Sequence, residues 1–281
     1  MKKALVEKFL DSPHKRIALM GMSGVGKTHL SKKLPPSEWF HYSIDYRIGT
    51  HHLKDEVNDF LTFEAMKNPL LKSLIQNRAI SVESRLSISN LAPLSAYLGM
   101  VGNPAEGGQP LAQFLDRLER HRLAEIGAIA DVPYFMERAE KLYQRPNFII
   151  DTSGSFCEIQ DEKSWELIGQ NALLIYIKAS EKAKNYVIER AQSHPKPLYY
   201  QASFLLPKIE EYLKTHQLQS ESEITPAHFT RWIFPQLIEH RLELYEMIAE
   251  RYGVTIDAEA LYHVKDQDQF FALIKESIDA Q

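Results

Sequence analysis

The chain has 281 residues, 44% apolar and 25% charged, with a formal net charge of −4. That is an ordinary balance for a globular protein with a sizeable core, long enough for one large domain or a core with an inserted subdomain. The acidic balance argues against a nucleic-acid binder working by bulk electrostatics, and Cys157, the single cysteine, excludes an intramolecular disulfide, which fits a cytoplasmic setting.

In chain order, residues 3–10 read as a short amphipathic helix. The apolar run after Met1-Lys2-Lys3 is interrupted by Glu7, Lys8 and Asp11, so no signal-peptide core forms, and no apolar stretch is long enough to span a membrane. Arg16-Ile17-Ala18-Leu19-Met20 then reads as a buried strand running into Gly21-Met22-Ser23-Gly24-Val25-Gly26-Lys27-Thr28. This is G-x-x-x-x-G-K-T, a phosphate-binding P-loop. Gly21, Gly24 and Gly26 let the backbone turn its N–H groups around an anion, and the following helix adds the positive end of its dipole. Lys27 is a point charge for the β- and γ-phosphates, and the Thr28 hydroxyl is a ligand for Mg²⁺. Gly21, Met22, Ser23, Gly24, Val25, Gly26, Lys27, Thr28 and His29 are therefore the expected nucleotide-binding residues. The helix is expected over 28–34, stopped by Pro35-Pro36.

Trp39 to Asp45 reads as a second strand, ending in an acid beside the P-loop strand. In an open α/β sheet, ligands bind beyond the carboxyl ends of the strands. Asp45 either caps a turn or faces that crevice, where it would hold Mg²⁺, take a proton from an acceptor hydroxyl or orient a substrate; the nearby P-loop favours the second reading. Arg47 lies two residues on, as a substrate-binding candidate. Residues 49–146 read as a long, mainly helical insertion, with helices over 53–66 and 69–75, a short strand at Ile80-Ser81-Val82, and a loop from Asn103 to Pro110. After Pro110, Phe114, Leu118, Arg122, Ile126 and Ile129 fall at helical spacing, which puts Arg122 on an apolar stripe. Its guanidinium either pairs with Glu125 at the surface or faces a ligand.

Asn147 to Asp151 is a third strand ending in an acid, as expected of the second acidic element of a P-loop enzyme, with Ser153-Gly154-Ser155 small enough for close approach to a ligand. Strands at 172–177 and 253–257 and helices at 181–191, 200–215, 235–251 and 267–278 complete the pattern. On the helix from Pro235, Phe234, Ile238, Arg241, Tyr245 and Ile248 share a face, so a second arginine interrupts an apolar stripe. Alternating strands and helices predict an α/β fold: a P-loop three-layer sandwich on a mostly parallel five-stranded sheet. Residues 1–48 and 147–281 form the expected core, and 49–146 the expected substrate-binding cap. The eleven histidines are scattered without a zinc-binding spacing.

These residues together resemble P-loop kinases of the shikimate-kinase and nucleoside-monophosphate-kinase type. Ser43-Ile44-Asp45 stands where shikimate kinases have D-x-D, with Ser43 replacing the first acid, so the resemblance implies that Asp45 touches the acceptor. Arg122-Leu123-Ala124-Glu125 resembles the family's R-x-x-E, Asp151 to Ser155 its glycine-rich turn with only Gly154 kept, and Arg190 with Lys196-Pro197-Leu198 its lid. Arg241 to Ala249 resembles its R-x-x-x-Y-x-x-x-A helix. The resemblance implies ATP and Mg²⁺ as cofactors, Thr28 and Asp151 at the metal, and Lys27, Asp45 and Arg190 as catalytic residues. Asp45, Arg47, Arg122, Gly154 and Arg241 would bind a small anionic acceptor. The alternative class is an ATP-hydrolysing switch whose helical insertion meets a partner protein; a nucleic-acid substrate is disfavoured by the charge.

Overall fold

The structure, a computed structural model, describes residues 2–279. Met1, Ala280 and Gln281, at the two ends of the expected core, lie outside the described residues. The chain packs as two compact units. One comprises the residues up to Ile44, Ala128–His194 and those from Phe234 onward; the other comprises Asp45–Gly127 and Pro195–Ile233.

The first unit is built on five strands: β1 (Arg16–Met20), β2 (Trp39–Ser43), β3 (Asn147–Asp151), β4 (Leu173–Lys178) and β5 (Gly253–Asp257). Every pairing is parallel and the order is β2-β3-β1-β4-β5. Successive strand residues point to opposite faces, and β1, β3 and β4 bury runs of four or five consecutive residues. Both faces of the central strands are therefore covered, as a parallel sheet requires. Helices Lys2–Asp11 and Gln267–Asp279 pack on each other and on β5, Val132–Lys141 packs on β2 and β3, and Glu162–Asn171 on β4. This is the expected α/β architecture with a fully parallel sheet. The strand order differs from expectation: β2 is not beside the P-loop strand, because β3 returns between them. Residues 128–146, expected in the insertion, pack with this sheet through the helix Val132–Lys141.

The second unit is helical. Helix Lys54–Ala65 packs on Ala92–Leu98, and Pro69–Gln76 is capped by the Asn68 side chain, which accepts from the N–H groups of Leu70 and Leu71. Val57, Leu94, Tyr97, Phe114, Leu118, Leu205, Tyr212 and Phe229 supply its buried apolar surface. It takes in residues 195–233, which the sequence pattern assigned to the core. Ile80-Ser81-Val82 is not a strand; the chain there has no regular secondary structure. Among the described residues no helix is long and apolar enough to cross a membrane.

Candidate nucleotide-binding site

The site grows from the end of β1. A Cβ built on Gly21 would stand 2.7 Å from the Ile177 carbonyl oxygen, and Gly21 has φ +147°, so only glycine lets the chain leave β1 here. Gly26, with φ +104°, sits at the N-terminus of helix Lys27–Ser31, whose Leu30 N–H closes onto the Gly26 carbonyl at 2.9 Å. The helix is shorter than the expected 28–34, and the chain turns over 32–34 before Pro35. Ser23, Gly24 and His29 are exposed, while Met22 and Val25 anchor the loop in the core. The Lys27 ammonium is buried and donates to the carbonyls of Gly21 at 2.7 Å and Met22 at 3.1 Å.

Asp151 reaches this loop through strand register. Leu19 of β1 pairs with Asp151 of β3, and Ser43 of β2 pairs with it from the other side. The Thr28 hydroxyl donates to Asp151 Oδ2 at 3.0 Å. Burial pushes the Asp151 carboxyl up, but His41, Lys27 and the Thr28 hydroxyl outweigh it, so it titrates below the ordinary aspartate range. A hydroxyl and an ionised carboxylate in contact are a hard oxygen donor pair, which suits Mg²⁺. Together with the glycine turn and a buried ammonium, these residues fit a magnesium–nucleotide complex.

The turn after β3 is held from several directions. The Thr152 hydroxyl donates to the Leu19 carbonyl at 2.9 Å, tying it to β1. Helix Pro226–Tyr252 supplies two further ties: the Tyr245 hydroxyl donates to the Gly154 carbonyl at 2.7 Å, and Arg241 pairs with Glu158, Nε donating at 2.6 Å and Nη2 standing at 2.5 Å from the same oxygen. Glu158 is fully buried and Arg241 is 7% exposed. Burial pushes the Arg241 guanidinium down, and the Glu158 carboxylate overcompensates, so its charge is secure. Arg241 thus lies on the buried face, as its stripe indicated, with a carboxylate of its own.

Arg190 occupies the last turn of helix Glu181–Ser193 and is exposed. A methyl built on Gly24 would lie 3.7 Å from Val187 Cγ2, so this helix passes beside the P-loop one turn before Arg190.

In the helical unit, Asp45 is in the first turn of helix Ile44–Arg47 rather than on the second strand, which ends at Ser43. Asp45 and Arg47 are both half-buried. Arg122 does not lie on the buried stripe of helix Leu111–Ala130. That stripe is Phe114, Leu118, His121, Glu125 and Ala128. Steps of four residues advance 400° and drift 40° each time, so counting 114, 118, 122, 126 walks off the face. Arg122 pairs with Glu119, not Glu125, through Nε at 2.8 Å and Nη2 at 2.9 Å. Glu125 is fully buried, with His121 Nδ1 4.0 Å from its carboxylate. His41, Glu158 and the His121–Glu125 pair are the polar groups that local patterns did not single out.

Among solved structures, the chain is similar to the shikimate kinase from Bacteroides thetaiotaomicron, with 14% identity and a TM-score of 0.39 over 95% of this chain and 97% of that one. No protein-family model and no curated protein matches the sequence.

Proposed function

We propose that the chain is a magnesium-dependent phosphotransferase that moves the γ-phosphoryl group of ATP to a hydroxyl of a small anionic acceptor. The observation that carries this reading is the Thr28–Asp151 hydrogen bond at 3.0 Å behind a complete P-loop. In this reading the loop residues Gly21 to His29 hold the nucleotide phosphates, and Thr28 and Asp151 hold Mg²⁺. The ion, when bound, neutralises phosphate charge. Lys27 exchanges the carbonyls of Gly21 and Met22 for phosphate oxygens. Arg190, on a helix that passes the loop, stabilises negative charge spread over the transferring group.

The acceptor oxygen bonds to the γ-phosphorus as the bond to the β-phosphate oxygen breaks, and the hydroxyl proton passes to Asp45. Arg47 selects an acceptor with a carboxylate or phosphate, groups a guanidinium grips in a bidentate manner; Arg122 already holds Glu119 and takes no part. Gly154 leaves room for close approach. Arg241 already holds Glu158, so its part is to fix the turn that carries Gly154.

The test is γ-labelled ATP with Mg²⁺ and a panel of small hydroxylated carboxylates and phosphate esters. Label moving to one acceptor class, with no turnover in its absence, is the expected result. Release of inorganic phosphate without any acceptor, stimulated by an added protein fraction, would replace this reading by the ATP-driven switch. Failure to bind any nucleotide would end both.

A further inference from the structure

We infer that His41 is a positioning residue for the Asp151 carboxylate, and through it for the divalent cation bound with the nucleotide. The inference rests on the proposed metal role of Asp151 and adds a residue to it.

The geometry starts with strand β2. His41 lies two residues before Ser43, on the same face of the strand, and Ser43 is the register partner of Asp151. His41 Nε2 stands 3.8 Å from Asp151 Oδ2, the same oxygen that accepts from Thr28. That distance is too long for a hydrogen bond and short enough that a small closing motion makes one. Nε2 is buried and makes no hydrogen bond, although the side chain as a whole is 24% exposed. A buried ring nitrogen with no partner is unfavourable, and the nearby acceptor able to relieve it is the Asp151 carboxylate.

The division of labour follows from the two carboxylate oxygens. Oδ2 faces Thr28 and His41, which leaves Oδ1 for a cation. The Thr28 hydroxyl would offer a lone pair to the ion while its hydrogen still donates to Oδ2, which restrains the carboxylate from one side only. In the tautomer carrying hydrogen on Nε2, His41 is then the donor that keeps the carboxylate from rotating. Partners of this kind, one step behind a metal ligand, typically change metal affinity by about 10–100-fold when removed.

The experiment uses the full chain and a non-hydrolysable ATP analogue, whose binding is followed by calorimetry while Mg²⁺ is titrated. Mn²⁺ replaces Mg²⁺ in a parallel series read by electron paramagnetic resonance. The variants are His41→Leu, His41→Gln and Asp151→Asn. His41→Leu is expected to raise the half-saturating metal concentration about 10-fold while metal-free analogue affinity stays within twofold. His41→Gln keeps an N–H donor near the carboxylate and is expected to recover most of the loss. Unchanged metal dependence in His41→Leu would overturn the inference, as would a glutamine variant as impaired as the leucine one. The underlying reading fails separately: the wild type would then show no metal dependence, or Asp151→Asn would match it. Thermal melts identify an unfolded leucine variant, and a folded glutamine variant whose metal dependence falls to that of Asp151→Asn also overturns the inference.

Discussion

Replacing Glu158 by Ala would leave the Arg241 guanidinium buried without the carboxylate that now stands 2.5–2.6 Å away. The magnitude follows from burial. Neither side chain is reached appreciably by water, with Glu158 at 0% and Arg241 at 7% exposure, so solvent cannot substitute for the lost partner. Removing one member of such a pair costs about 3–5 kcal/mol. Domains are typically stable by only about 5–15 kcal/mol, so the single change would remove a large share. The double variant Glu158→Leu with Arg241→Met removes both charges and keeps volume; such replacements are often neutral or better. It should therefore be more stable than Glu158→Ala alone. Urea denaturation followed by tryptophan fluorescence measures this directly. Trp165 is a local reporter, because its indole N–H donates to the Phe156 carbonyl within the same turn at 3.0 Å. A cost under about 1 kcal/mol for Glu158→Ala, the range of an exposed pair, would refute the reasoning. So would a double variant that loses the sum of the two single losses.

Three other outcomes are expected. Lys27→Ala should abolish detectable nucleotide binding by calorimetry while the chain still folds by thermal melt: it loses two charge-assisted hydrogen bonds of about 1.5–3 kcal/mol each to its own loop, offset in part because no ammonium is then buried. Gly21→Ala should be much worse for folding than Gly26→Ala, as measured by melting temperature, because a Cβ at 21 meets the Ile177 carbonyl oxygen at 2.7 Å whereas one at 26 meets nothing within 4 Å. Asp151 titrates below its ordinary range, so its ionised form contributes stability at neutral pH. That contribution is fully present above the unfolded-state value of about 3.9 and is lost as pH falls through the lower folded-state value. Wild type and Asp151→Asn should accordingly keep a constant stability difference from neutral pH to about pH 5 and converge in stronger acid.

The strands and the P-loop were legible because their signals are local. Four apolar residues before a glycine turn, or three before an acid, need nothing from elsewhere in the chain to be recognised. Arg122 shows where local reading fails: one wrong step in a helical count moved the buried face from His121 and Glu125 to Arg122. The long helix Pro226–Tyr252 shows another failure. Pro235 looks like a first-turn proline, yet it lies in the helix interior, where it can only omit its bond to the residue four back. Glu158 and His41 had no local signal at all. Glu158 meets its arginine across 83 positions, and His41 sits in an aromatic-rich strand whose burial does not alternate.

What no local pattern contains is register, and the site depends on it. Leu19 opposite Asp151 fixes which residue of β3 emerges beside the P-loop, and the Thr152 hydroxyl bond to the Leu19 carbonyl locks that alignment. A slip of one residue would turn every β3 side chain to the opposite face. Asp151 would then leave Thr28, and Ile150 would take its place at the mouth of the loop. Such a slip is opposed by the burial of all five β3 residues, from Asn147 to Asp151. It is opposed again at the start of the strand, where the Asn147 side chain accepts from the Lys15 N–H at 2.9 Å. The core residues of β3 therefore act on chemistry without touching it, by holding one carboxylate at hydrogen-bond distance from one hydroxyl.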